Sequence, residues 1–204
     1  MANNSTPENP TPHEPKIIWD FDPRNLPPKF LQAVGLLAGA SAQTEHVLGK
    51  FIGGLLGIDA IQALALTSNM TIPLKERVIR ALAELRAPDL QELDKIDDLI
   101  DAAIAAFEKR NTVLHNPFMI HPETEEIFSH RLRVKGSLHL ELKVITIEEI
   151  EQDAITLYEI GMRIMEFIDS RGLFPPIPIK PLRKAPNRGK EAREKRRNPT
   201  TGNS

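Results

Sequence analysis

The sequence predicts a mainly α fold, a helical bundle with a small antiparallel β meander inserted after a long amphipathic helix. Apolar residues recur at three- and four-residue spacing on both sides of residues 118–145, the period of a helix with one buried face. Inside that window the period drops to two, as in Leu138-His139-Leu140-Glu141-Leu142-Lys143-Val144, the alternation of a half-buried strand. Size sets the third constraint: 204 residues with 41% hydrophobic content suffice for one core and are too few for two comfortable ones. The expected organisation is an arm over residues 1–28, most of it disordered, a helical domain over residues 29–174, and a disordered basic tail over residues 175–204.

Within the arm, Lys16 to Phe21 carries the only tryptophan and is expected to dock on the body as an extended segment. The first helix runs from Phe30 through Leu37, Val47, Leu48, Ile52 and Leu55 to a stop at Gly57. Its face with Ala42, Gly49 and Gly53 also carries His46. Each glycine inside a helix costs about 1 kcal/mol relative to alanine, so close approach of another helix backbone is expected to compensate. A short helix from Ile58 to Leu66 follows. The chain then turns through Thr67 to Pro73, and Pro73 opens a helix over Leu74 to Leu85. Asp89 is suited to cap the next and most polar helix, whose apolar stripe contains Ile96, Leu99, Ile100, Ala103, Ile104, Phe107 and Leu114 before Pro117 ends it. The meander turns at Pro122 to Glu125 and again at Lys135 to Ser137. Thr146 and Glu149 form a capping box for a final helix through Ile150, Ala154, Leu157, Ile160, Ile164 and Phe167, closed by Gly172.

Composition excludes several function classes. With no cysteine, disulfides, thiolate chemistry and Cys-based zinc sites are ruled out. P-loop, dinucleotide and serine-elbow motifs are absent, and His121, His130 and His139 match no familiar zinc spacing, so no metal or other cofactor is expected. Met1 to Pro15 lacks the basic and apolar regions of a secretory signal, and the apolar run Val47 to Ile58 is too interrupted for a membrane span. A cytoplasmic protein without membrane contact is the expectation. From Pro175 onward, Lys180, Arg183, Lys184, Arg188, Lys190, Arg193, Lys195, Arg196 and Arg197 face only Glu191 and Glu194, a net of +7; with −2 for the whole chain, the remainder carries −9. Clustered cations release counterions from a polyanion, so the tail is a candidate nucleic-acid contact, alongside a plainly solvated extension.

The chemical candidates lie at the end of the polar helix, in Glu108-Lys109-Arg110-Asn111-Thr112-Val113-Leu114-His115-Asn116-Pro117. Arg110 supplies a phosphate-binding cation, and His115 supplies a proton-transfer group whose ordinary pKa lies near neutrality. Asn111 is placed to orient the histidine or the substrate. Glu108, Asn111 and His115 share one helix face, whereas Arg110 and His115 are five residues apart, roughly 140° around an ideal helix. Either the last turn unwinds or cation and imidazole meet across a subunit interface. Each residue also has a structural role open to it: Arg110 as a surface ion pair with Glu108, Asn111 as a helix-end residue, and His115 as a C-terminal cap.

This segment resembles the signature of the HEPN superfamily (higher eukaryotes and prokaryotes nucleotide-binding domains), small helical bundles with R-x4-6-H near the end of a long helix and a polar residue after the arginine. Arg110, Asn111 and His115 match it with a four-residue gap, and the resemblance spans about Phe30 to Phe174. It implies an endoribonuclease that cuts RNA without a metal, with Arg110, Asn111 and His115 as catalytic residues in a composite site across a homodimer. It also implies a toxin or phage-defence role, with an antitoxin protein as a further partner. Glu108, Glu45 and His46 are supporting positions, the latter two if the first helix packs against the motif. The alternative is a noncatalytic HEPN-like module that binds a partner protein or a nucleotide.

Overall fold

The computed structural model describes residues 19–134 and 138–178. Residues Lys16 to Ile18 of the arm and all nine cations of the tail lie outside them. The chain folds as α1 (Pro28–Leu56), α2 (Ala60–Thr67), α3 (Ile72–Arg86), α4 (Leu90–Leu114), β1 (Phe118–Ile120), β2 (Ile127–Val134), β3 (Leu138–Val144) and α5 (Ile147–Ser170). It is thus a mainly helical bundle with one three-stranded antiparallel sheet in the order β1-β2-β3, inserted after α4.

Helix ends follow local chemistry. Gly57 closes α1 in the left-handed conformation, φ 68°. Asp59 and Gln62 make a capping box at α2 that the sequence reading missed. Asp89 Oδ1 accepts the Glu92 amide at 2.8 Å to start α4, and Thr146 with Glu149 caps α5 as expected. Pro73 takes the second rather than the first position of α3, because Thr71 and not Ile72 is the extended residue before the helix.

The longest helix, α1, packs against each of the other four helices, most extensively α5. Phe30, Leu37, Leu48, Phe51 and Ile52 from α1 meet Ile150, Leu157, Ile164 and Ile168 from α5 in one core that also takes in Ile79, Ile96 and Ile100. The α1–α5 contact is tight at Gly161, opposite Thr44, whose buried hydroxyl donates to the Leu157 carbonyl at 2.9 Å. Close approach explains Gly49, Gly53 and Gly54 of α1, whereas Gly35 and Gly39 face open space. A Cβ on Gly49 would sit 2.8 Å from Thr67 Oγ1 and one on Gly53 would sit 2.5 Å from Ala63 Cβ, both on α2, while one on Gly54 would run into the Leu173 carbonyl.

After α5 the chain doubles back. Residues 173–177 form a strap over α1 and α2, held where the Ala60 amide donates to the Pro176 carbonyl at 3.0 Å. The arm docks as expected: Asp20 pairs with Ile120 at the β1 edge, and Trp19 meets His121 and Phe128 edge to face at 5.0 and 5.3 Å. Residues Pro23–Asn25 add a 3₁₀ turn capped by Asp22. Among the described residues no single helix is long and apolar enough to cross a membrane; α1 and α2 meet that test only together, across a 119° bend.

Candidate functional site

The motif sits where α4 gives way to the sheet. Arg110 lies just before the last turn, Asn111 begins it, and His115 is the C-cap residue, at φ −110° and ψ −4°, with its amide donating to the Asn111 carbonyl. The long Arg110 side chain spans the angular offset to the imidazole. Arg110 Nη1 reaches His115 Nε2 at 3.2 Å and donates to Asn111 Oδ1 at 2.9 Å, so the three residues meet within one chain. Neither of the two arrangements expected from the spacing is seen: the last turn stays helical through Leu114, and cation and imidazole still meet within one chain.

This contact sets the imidazole chemistry. A guanidinium only donates, so Nε2 must present its lone pair and the proton of the neutral ring lies on Nδ1. Arg110 is half-buried, and its Nε has no hydrogen-bond partner although solvent does not reach it. An orphaned buried donor is costly unless something else compensates. Nη2 makes no hydrogen bond among the described residues, which leaves one edge of the fork available to an acceptor.

Beside the triplet lies an open groove of about 720 Å³, lined by Asn111 and His115 but not by Arg110, together with Glu108, Lys109, Asn116 and, from β2, Arg131. Arg131 is the residue the sequence reading missed. Phe118 pairs with Ser129 across β1 and β2, and the His130 amide donates to the Pro117 carbonyl at 3.0 Å, so continuing the register brings Arg131 level with Asn116. The signal was present in the turn at Pro122 to Glu125: a hairpin centred between residues 123 and 124 sets residue 131 opposite residue 116.

Other candidates fall elsewhere. Lys109 reaches Asp153 of α5 at 3.6 Å, and Glu108 forms no ion pair among the described residues, so the expected pairing of Glu108 with Arg110 or Lys109 is not made. Arg110 takes Asn111 and His115 as partners instead, because both acceptors lie within reach of its Nη1. Glu45 and His46 are not beside the motif. They line a separate cavity with Lys75, which draws Glu45 into an ion pair at 2.7 Å. Burial, and then Lys50 and Lys75, hold the His46 imidazole below its ordinary value of 6.5. His121 is a turn residue whose Nδ1 accepts the amides of Glu123 and Thr124 at 3.3 and 3.2 Å, and the described residues hold no cluster of three metal-ligating side chains.

No protein-family model, curated protein or solved structure matches the chain.

Proposed function

We propose that the chain is a metal-independent endoribonuclease of HEPN type. The observation that supports this reading is the 3.2 Å contact from Arg110 Nη1 to His115 Nε2, whose histidine lines a groove together with Lys109 and Arg131. An RNA phosphate in the groove competes with the imidazole for the guanidinium, since a phosphate oxygen is a stronger, charged acceptor. Once Arg110 turns to the phosphate, the Nε2 lone pair is released beside it as a general base.

The 2′-hydroxyl then gives its proton to Nε2 as its oxygen bonds to phosphorus. The bond from phosphorus to the 5′-oxygen breaks, leaving a 2′,3′-cyclic phosphate and a 5′-hydroxyl. Arg110 stabilises charge gathering on the phosphoryl oxygens, and Asn111 holds the guanidinium in register. The 5′-oxygen takes its proton from water or, in a homodimer, from the imidazole of the second copy. Supporting roles for Lys109 and Arg131 are electrostatic, as phosphate contacts. A cytoplasmic toxin or phage-defence effector restrained by an antitoxin protein is the biological setting that goes with the HEPN resemblance.

A noncatalytic module is the second reading, favoured by the position of His115 as the α4 cap, where an imidazole stabilises a helix end without chemistry. Labelled RNA incubated with the full chain in excess EDTA separates the two. The nuclease reading expects cleavage with a 2′,3′-cyclic end, reduced at least about 10²-fold in His115→Ala and in Arg110→Ala. Full activity in His115→Ala overturns it, and RNA left intact by the wild type assigns the groove to binding alone.

A further inference from the structure

We propose that the cavity enclosed by α1, α2, the start of α3 and the 173–177 strap binds a small organic monoanion, a carboxylate head on an apolar body. The cavity measures about 590 Å³, within the range of small-molecule sites, and shares no lining residue with the motif groove. Its polar lining comes from Lys75, Glu45, His46 and Lys50. Its apolar lining comes largely from Leu64 and Phe174.

Lys75 is the reason to assign a ligand. Its side chain is 4% exposed, and a buried ammonium is expensive unless its donors and charge are met. Among the described residues it has one partner, Glu45 Oε1 at 2.7 Å, so two of its three donors have no protein acceptor. Glu45 offsets one positive charge of the lining. Lys50 adds a second, with no ion pair among the described residues; its ammonium lies 5.9 Å from the Phe174 ring centroid. The lining thus carries one surplus positive charge, which matches a monoanion better than a dianionic phosphate. His46, one turn before Lys50 on α1, adds a ring nitrogen able to donate to the same head group.

The apolar lining suits a hydrocarbon. Leu64 is 50% exposed and Phe174 is 41% exposed although both face the cavity, and the strap that carries Phe174 is pinned to α2 through Ala60. The basic segment that follows the strap has the same charge as Lys50 and Lys75, which argues against the tail as the occupant.

The test titrates the full chain with octanoate and, separately, with octylammonium, which has the same tail length and the opposite charge. Calorimetry gives the affinities, and backbone amide shifts locate the site. Octanoate is expected to bind at one site, with shifts concentrated in residues 42–50 and 60–68, and at least tenfold more tightly than octylammonium. Lys50→Gln and Lys75→Met are each expected to weaken octanoate at least fivefold. If Lys75→Met does not fold, Lys50→Gln carries the test, because Lys50 is only partly buried. Equal affinity for the two amphiphiles, unchanged octanoate binding in Lys50→Gln, or no saturable octanoate binding overturns the proposal.

Discussion

Removing one partner of the Lys75–Glu45 pair should be far more damaging than removing the other. Lys75 is buried, whereas the Glu45 side chain is 37% exposed, so the two ions pay different desolvation costs. Glu45→Ala leaves an ammonium in the protein with no countercharge; for a fully buried pair this costs about 3–5 kcal/mol. Glu45 is partly solvated, so the pair is not fully buried and the expected loss comes down to about 2 kcal/mol. Lys75→Met leaves Glu45 able to turn to solvent and fills much the same volume with an apolar chain, so its cost should stay under about 1 kcal/mol. The double variant should recover most of the Glu45→Ala loss, a coupling visible only in a complete mutant cycle. Urea unfolding followed by circular dichroism is the assay. With an m-value of about 2–3 kcal/mol/M, Glu45→Ala should lower the midpoint by close to 1 M. Equal losses in the two single variants, or a double variant no better than Glu45→Ala, would refute the account of Lys75 as a buried charge held by one carboxylate.

Gly161→Ala should destabilise the α1–α5 contact by about 1–2 kcal/mol: the new methyl meets Thr44 Oγ1 at 2.6 Å, and crowding outweighs the gain of about 1 kcal/mol in helix propensity. Adding Thr44→Ala should relieve most of that crowding, as read by the thermal midpoint. Thr146→Ala removes the hydroxyl that accepts the Glu149 amide at 3.1 Å, leaving the backbone amide of residue 146 to donate to the Glu149 carboxylate, and should cost about 1 kcal/mol in denaturant unfolding. The lowered pKa of His46 makes the unfolded chain bind more protons between the folded value and 6.5. Stability from this group is therefore complete above about pH 6.5 and lost as pH falls through the folded value. His46→Gln should flatten that acid limb when urea midpoints are compared at several pH values. If Arg131 contacts a phosphate in the motif groove, Arg131→Ala should weaken RNA binding by similar factors across sequences and reduce the salt slope by about 0.7, measured by fluorescence anisotropy.

What the sequence determined by itself was decided over a few residues of chain. The Asp89 cap, the Thr146 and Glu149 box, the Gly57 stop and the alternation that became β3 each depend on backbone groups within about four positions, so spacing alone identifies them. The need for another helix against Gly49 and Gly53 was also legible, because an interior glycine advertises its missing Cβ. Which helix answers it was not: Thr67 and Ala63 of α2 reach those glycines only after the chain reverses at Gly57. The candidate site divides along the same line. Arg110, Asn111 and His115 were legible as residue types at a helix end, but periodicity offered only an unwound turn or a subunit interface, whereas the contact forms within one chain with the helix intact to Leu114, through the reach of the Arg110 side chain. Glu45 and His46 were supporting candidates only if the first helix packed against the motif, and they lie instead in the cavity with Lys75. Helix periodicity gives the face a side chain shares and not the helix that will cover it, and the partner, 30 residues from Glu45 along the chain, is chosen by how α1, α2 and α3 pack.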